Sequence, residues 1–156
     1  MKKSMFFENA KMLYDELGIS PLMYGSLGLE YITNQALNAD DIDILIPETF
    51  LTDKWDQLKS VLEGKGYVLT DRHEHTFQKD GVCYSYASIE ELEAFANIKL
   101  CDIKEQNDNG VKFKLLSLEQ YLKVYTASSK DGYRINVRQK KDNDKIEFII
   151  KHLKNK

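Results

Sequence analysis

Gly25-Ser26 and, further along, Asp41-Ile42-Asp43 are the residues of this chain whose types and spacing suit chemistry. Leu22-Met23-Tyr24 reads as a short apolar strand that breaks at Gly25, with a helical stretch behind it. Glycine lets the backbone approach a ligand closely, and a helix start aims free N–H groups and a positive dipole end at an anion. Such a turn suits a phosphate. Ile42, Ile44, Leu45 and Ile46 mark a second buried strand, and Asp41 and Asp43 fall on it at alternate positions. Strand alternation puts both carboxylates on one face. Aspartate is a poor strand former and paired acids repel, so a cation is the expected remedy; hard oxygen ligands suit magnesium. Without a ligand, the same residues would be a strand-to-helix turn capped by Ser26 and a strand edge with solvated acids.

Gly-Ser on a strand-to-helix turn, followed by Asp-x-Asp on the next strand, resembles the signature of the polymerase-beta-type nucleotidyltransferase superfamily. The chain is most similar to its small stand-alone bacterial members, the antibiotic and toxin-antitoxin nucleotidyltransferases. The resemblance is specific over about residues 20–50 and looser to about residue 150. It implies an α+β nucleotidyltransferase fold, a mixed β-sheet flanked by helices with a helical C-terminal segment. It also implies that Gly25 and Ser26 cradle a nucleoside triphosphate, while Asp41 and Asp43 are catalytic and bind one or two magnesium ions. Magnesium would bridge the triphosphate as an attacking hydroxyl displaces pyrophosphate in line.

The family places a third carboxylate on a later strand, close to the first two. The strand Val82-Cys83-Tyr84-Ser85-Tyr86-Ala87 stands in that order but offers Ser85 at the expected place. Glu74, on the preceding strand, and Glu90, just beyond, are candidate substitutes by proximity. Between Lys123 and Lys145 the chain gathers Lys123, Lys130, Arg134, Arg138, Lys140, Lys141 and Lys145. A triphosphate cleft benefits from such charge. Lys141-Asp142 matches the Lys-Asp pair that opens the final helix in similar proteins, and Arg138 and Lys141 are the expected phosphate contacts. The bland alternative is a solvated helix flank with Asp131, Asp142 and Asp144 interspersed. His73 and His75 share one strand face by alternation, without a third zinc ligand nearby in sequence. Tyr84, Tyr86, Tyr121, Tyr125 and Tyr133 could stack a base, but their spacing suits the margins of a core.

The elements that must position these residues are legible as periodicities. Phe6, Ala10, Met12, Leu13 and Leu17 predict an amphipathic helix over 5–17, ended by Gly18 and Pro21. Ser26 opens a helix to about Thr33, and Pro47 ends the aspartate strand. Thr52 or Asp53 caps a helix through Leu62 with Trp55, Leu58, Val61 and Leu62 inward. A strand is expected from Tyr67 to about Gln78, then a Lys79-Asp80-Gly81 turn and a returning strand to Ala87. Ser88 and Glu91 suggest a capping box for a helix to Asn97. Asn107–Gly110 reads as a loop, Val111–Leu116 as a strand, and Ser117 caps a helix to about Ala127. The last helix spans about Asp144 to Leu153.

A chain of 156 residues fits one domain, 1–156, with a sheet core over 1–116 and a helical segment over 117–156. A net charge of −3 gives no broad attraction to nucleic acid. Cys83 and Cys101 are too few for a disulfide scaffold, which points to a reducing cytoplasm. Asn9, Lys11, Asp15 and Glu16 interrupt the N-terminal apolar residues, so neither a signal peptide nor a membrane span is expected. The expected activity is magnesium-dependent transfer of a nucleoside monophosphate from a triphosphate to a hydroxyl of a small molecule, RNA or protein. The alternative is a catalytically inactive module of the same fold that binds nucleotide or a protein partner.

Overall fold

In a computed structural model that describes residues 2–130 and 135–154, with side chains for 2–130 and 142–154, strands and helices alternate around one mixed sheet. The strands are β1 (Leu22–Tyr24), β2 (Ile42–Ile46), β3 (Val68–Asp71), β4 (Thr76–Lys79), β5 (Val82–Ser88), β6 (Lys104–Asp108) and β7 (Val111–Leu115). The helices are α1 (Lys2–Leu17), α2 (Gly25–Thr33), α3 (Trp55–Gly64), α4 (Glu91–Ala96), α5 (Leu118–Ser129) and α6 (Ile135–Lys154). Strand order is β3-β4-β5-β2-β1-β7-β6, with β2/β5 and β1/β7 parallel and the other neighbours antiparallel. The two strands that carry the chemistry therefore lie side by side in the middle of the sheet.

Burial of apolar residues explains this placement. Ile42, Ile44 and Ile46 of β2 are fully buried, as are Leu22 and Met23 of β1, which suits strands covered on both faces. α1 lays Phe6, Ala10 and Leu13 into the core, and Phe6 meets Phe113 of β7 edge to face at 5.8 Å. α3 contributes Trp55, Leu58 and Leu62, with Trp55 against Phe77 of β4 at 5.9 Å. Ser117 caps α5 by accepting the N–H of Gln120, and the Gln120 side chain returns the bond to Ser117 N–H. That reciprocal pair satisfies two donors the helix start would otherwise leave free.

Several expectations are corrected. The strand expected over 67–78 is two strands, β3 and β4, joined by a tight turn with His75 at φ 52°. His73 and His75 therefore do not share a strand face; the His75 ring instead packs on Trp55 at 5.0 Å. Ser88 stays in β5 with its hydroxyl buried and without a hydrogen-bond partner, and α4 starts without a side-chain cap. Asn107 belongs to β6, and α6 begins at Ile135, well before the expected Asp144.

Candidate functional site

Tyr24 on β1 is paired with Asp43 on β2 across the antiparallel ladder, which brings the Gly25 turn beside the second aspartate. Gly25 has φ +66°, a left-handed conformation that side chains other than glycine rarely take. A Cβ built there would lie 2.7 Å from Asp43 Oδ2. The position thus demands glycine twice, once for the turn and once for the carboxylate against it. Asp41 immediately precedes β2 and is exposed, whereas Asp43, on the strand, is half-buried. Ser26 is not the N-cap of α2 as expected: the cap position is Tyr24 and no side chain bonds there.

These four residues line one cleft of about 430 Å³, and its remaining walls come from elements distant in sequence. The loop 37–41 forms one side, with Asp40 and Asp41 at its end. α5 supplies Tyr121, Val124, Tyr125 and Ser128, and α6 supplies Asp142, Asp144 and Lys145. Phe95 of α4 stands at the cleft with its ring exposed. Asp142 is 4% exposed and accepts the Ser128 hydroxyl at 2.7 Å. Burial pushes the Tyr125 phenol above its ordinary range; the Tyr24 phenol and the Asp43 and Asp142 carboxylates add to the push, and the Ser26 hydroxyl offsets part of it. That phenol therefore stays protonated and neutral, within electrostatic reach of carboxylates from the sheet and from α6.

Tyr121 ties α5 to the end of β1, just before the Gly25 turn. Its hydroxyl donates to the Met23 carbonyl at 2.6 Å, passing over Gly28 in α2. A Cβ at Gly28 would collide with that hydroxyl and lie 2.6 Å from the same carbonyl. Tyr84 and Tyr86 are buried in the core and take no part in the cleft. Tyr133 lies outside the described residues, and the side chains of Arg138 and Lys141 do as well.

The other expected acids are elsewhere. Glu74 sits in the exposed turn between β3 and β4, where its N–H donates to Asp71 Oδ1 at 3.1 Å. The Glu90 carboxylate accepts the Glu48 N–H at 2.8 Å. Neither lines the cleft, because the hairpin turn carries one outward and the start of α4 occupies the other. Ser85 is in register with Asp43 on β5, and its hydroxyl pairs with that of Thr76 at 3.2 Å. Among the described residues, no group of three or more His, Cys, Asp or Glu stands ready to hold a metal ion. The donor set at hand is two aspartates from β2 and its approach. Asp142 was missed as a site residue because only tertiary packing brings α6 to the cleft; its place in the Lys141-Asp142 pair was the available signal.

No protein-family model matches the chain. The uncharacterized protein YnaI of Bacillus subtilis (strain 168) is 42% identical over 150 residues, 96% of either chain. Among solved structures, ANT(2'')-Ia in complex with adenylyl-2''-tobramycin superposes with a TM-score of 0.66 at 12% identity, covering 98% of this chain and 90% of that one. An antigenic nucleotidyltransferase-like protein from Paracoccidioides brasiliensis superposes with a TM-score of 0.64 at 18% identity, covering 95% and 74%. The architecture is that of the nucleotidyltransferases: a mixed sheet, flanking helices and a helical C-terminal segment. Among the described residues, no helix is long and apolar enough to cross a membrane.

Proposed function

The chain belongs to the family of Bacillus subtilis YnaI and has the nucleotidyltransferase fold, and from that premise we propose that it transfers a nucleoside monophosphate from a nucleoside triphosphate to a hydroxyl. The carrying observation is the contact between the Gly25 turn and Asp43, a cradle that any Cβ would fill. On this reading the Gly25 backbone binds phosphate and Asp43, close against it, binds the metal. Magnesium fits this donor set, because it is commonly held by one or two carboxylates with waters and substrate phosphates making up the octahedron. Asp41 and Asp43 would hold it, and it would supply positive charge to offset that of the triphosphate.

The remaining work falls to the chain's own residues. The free N–H groups at the start of α2, from Gly25 and Ser26, bind phosphate oxygens. Lys145 lines the cleft and supplies positive charge to the phosphates, and Arg138 and Lys141, of the same helix, are assigned the same role on the strength of the sequence. The acceptor oxygen attacks the α-phosphorus, the bond to the β-phosphate bridging oxygen breaks, and pyrophosphate leaves. Asp142, the buried carboxylate of the cleft, takes the proton from the attacking hydroxyl. The ANT(2'')-Ia complex holds an adenylylated small molecule, which supports a small-molecule hydroxyl as the acceptor. RNA and protein hydroxyls are the other acceptors of the same chemistry. The whole chain acts as one such unit, in the cytoplasm.

A second reading is favoured by one observation: β5 sets Ser85, and no acid, beside Asp43. On that reading the chain binds nucleotide, or a protein partner, without turnover. Both readings share a first test. Thermal melts should show stabilisation by a nucleoside triphosphate only with magnesium, about 2.7 kcal/mol at a hundredfold excess over Kd. Asp43→Asn should abolish the magnesium-dependent part and leave the unliganded melt nearly unchanged. Equal stabilisation with and without magnesium would reject the two-aspartate site.

A further inference from the structure

Glu30 lies in the last turn of α2, where a negative charge faces the negative end of the helix dipole. Its contacts explain why an acid stands there. Glu30 Oε1 accepts the N–H of Leu37 at 2.8 Å and that of Ala39 at 3.0 Å. The stretch between α2 and β2 has no regular structure, and Asn34 and Asn38 take left-handed φ values of 55° and 54° in it. Outside helices and strands, no backbone–backbone hydrogen bond reaches residues 35–40 among the described residues. Yet Leu37, Asn38 and Ala39 wall the cleft, and Asp40 and Asp41 follow directly.

We propose that Glu30 is a positioning residue of the metal site, its carboxylate fixing the 37–39 loop and thereby holding Asp41 at the cleft that Asp43 also lines. Hydrogen bonds to an ionised acceptor are the stronger kind, so two of them hold a short loop firmly. One end of this loop is fixed by the helix and the other by β2; Glu30 fixes the middle. Asp43 needs no such help, because the ladders to β1 and β5 hold it. Asp41 lies before the strand begins, and its backbone depends on the loop. The inference rests on the reading that Asp41 and Asp43 bind a divalent cation, although the anchoring of the loop does not.

Manganese alone, titrated calorimetrically, is the probe for wild type, Glu30→Ala, Glu30→Gln and Asp41→Asn. Amide exchange at Leu37 and Ala39 is read in parallel by NMR. Glu30→Ala should weaken manganese binding by about 10–100-fold, the range for removing a partner that orients a metal ligand. It should also speed exchange at both amides, with the melt still cooperative. Glu30→Gln keeps an oxygen acceptor and should restore both readouts. Manganese affinity in Glu30→Ala equal to wild type, unchanged exchange, or failure of Gln to rescue would each overturn the proposal. Wild-type protein that takes up no manganese overturns the metal reading itself, and with it Glu30's role; the exchange data then tell whether the loop anchor stands alone.

Discussion

Two glycines show how single residues hold the cleft open. At Gly25 a left-handed φ and a 2.7 Å approach to Asp43 Oδ2 act together, so Gly25→Ala should cost about 1–3 kcal/mol in urea denaturation. The same substitution should remove magnesium-dependent stabilisation by triphosphate, because the new methyl displaces the carboxylate. At Gly28 the obstacle is the Tyr121 hydroxyl and the Met23 carbonyl it binds. Gly28→Ala should destabilise by about 1–3 kcal/mol through overpacking. Adding Tyr121→Phe should recover only part of that loss, since the carbonyl remains in the way. Full recovery in the double variant, measured by the same denaturation, would place the entire strain on the hydroxyl.

At the scale of elements, the cleft exists because α5 and α6 are tied together across it. The Ser128–Asp142 hydrogen bond joins them inside the protein, where a carboxylate without its donor is costly. Ser128→Ala should therefore destabilise by about 1.5–3 kcal/mol, read as a lower urea midpoint with unchanged slope. This tie is also where sequence reading stopped. Strong local signals carried β1, β2, α1, α3 and α5: the isoleucines of β2 and the Ser117 cap need no tertiary partner to be recognised. β6 escaped notice because Lys104-Glu105-Gln106-Asn107-Asp108 is an edge strand with little to bury, so no apolar alternation marks it. The strand expected over 67–78 concealed a turn that contains neither glycine nor proline. That Gly25, Ser26, Asp41 and Asp43 would meet at one cleft was legible because a glycine turn after a strand and acids at alternate positions leave a local pattern. Glu30 left none, since it acts through a loop supplied by the fold; Asp142 left only its place in the Lys141-Asp142 pair, and Tyr125 only its place among the tyrosines that could stack a base.

For the whole molecule, the question is whether this sheet with a serine at its third position still turns over. The topology sets Asp43 between Tyr24 and Ser85, so among the described residues the sheet itself brings one carboxylate to the cleft, and the approach to β2 adds Asp40 and Asp41. The helical C-terminal segment brings a further carboxylate to the cleft, Asp142, buried and held by Ser128. If Asp142 takes the proton, the two walls have separable duties. Asp142→Asn should keep magnesium-dependent binding of the triphosphate and lose transfer of labelled nucleotide, by about 100–10,000-fold in kcat. Asp41→Asn should lose both. Ser128→Ala, which keeps the carboxylate but frees it, should fall between wild type and Asp142→Asn in kcat with little change in KM. The assay is transfer of each of the four labelled triphosphates to hydroxyl compounds and cell extracts, with melts run alongside to confirm folding. Transfer that Asp142→Asn leaves at the wild-type rate would move the proton to another acceptor. No Asp41-dependent product from wild type, despite magnesium-dependent binding, would identify the chain as a nucleotide-binding module, with Ser85 marking where catalysis was lost.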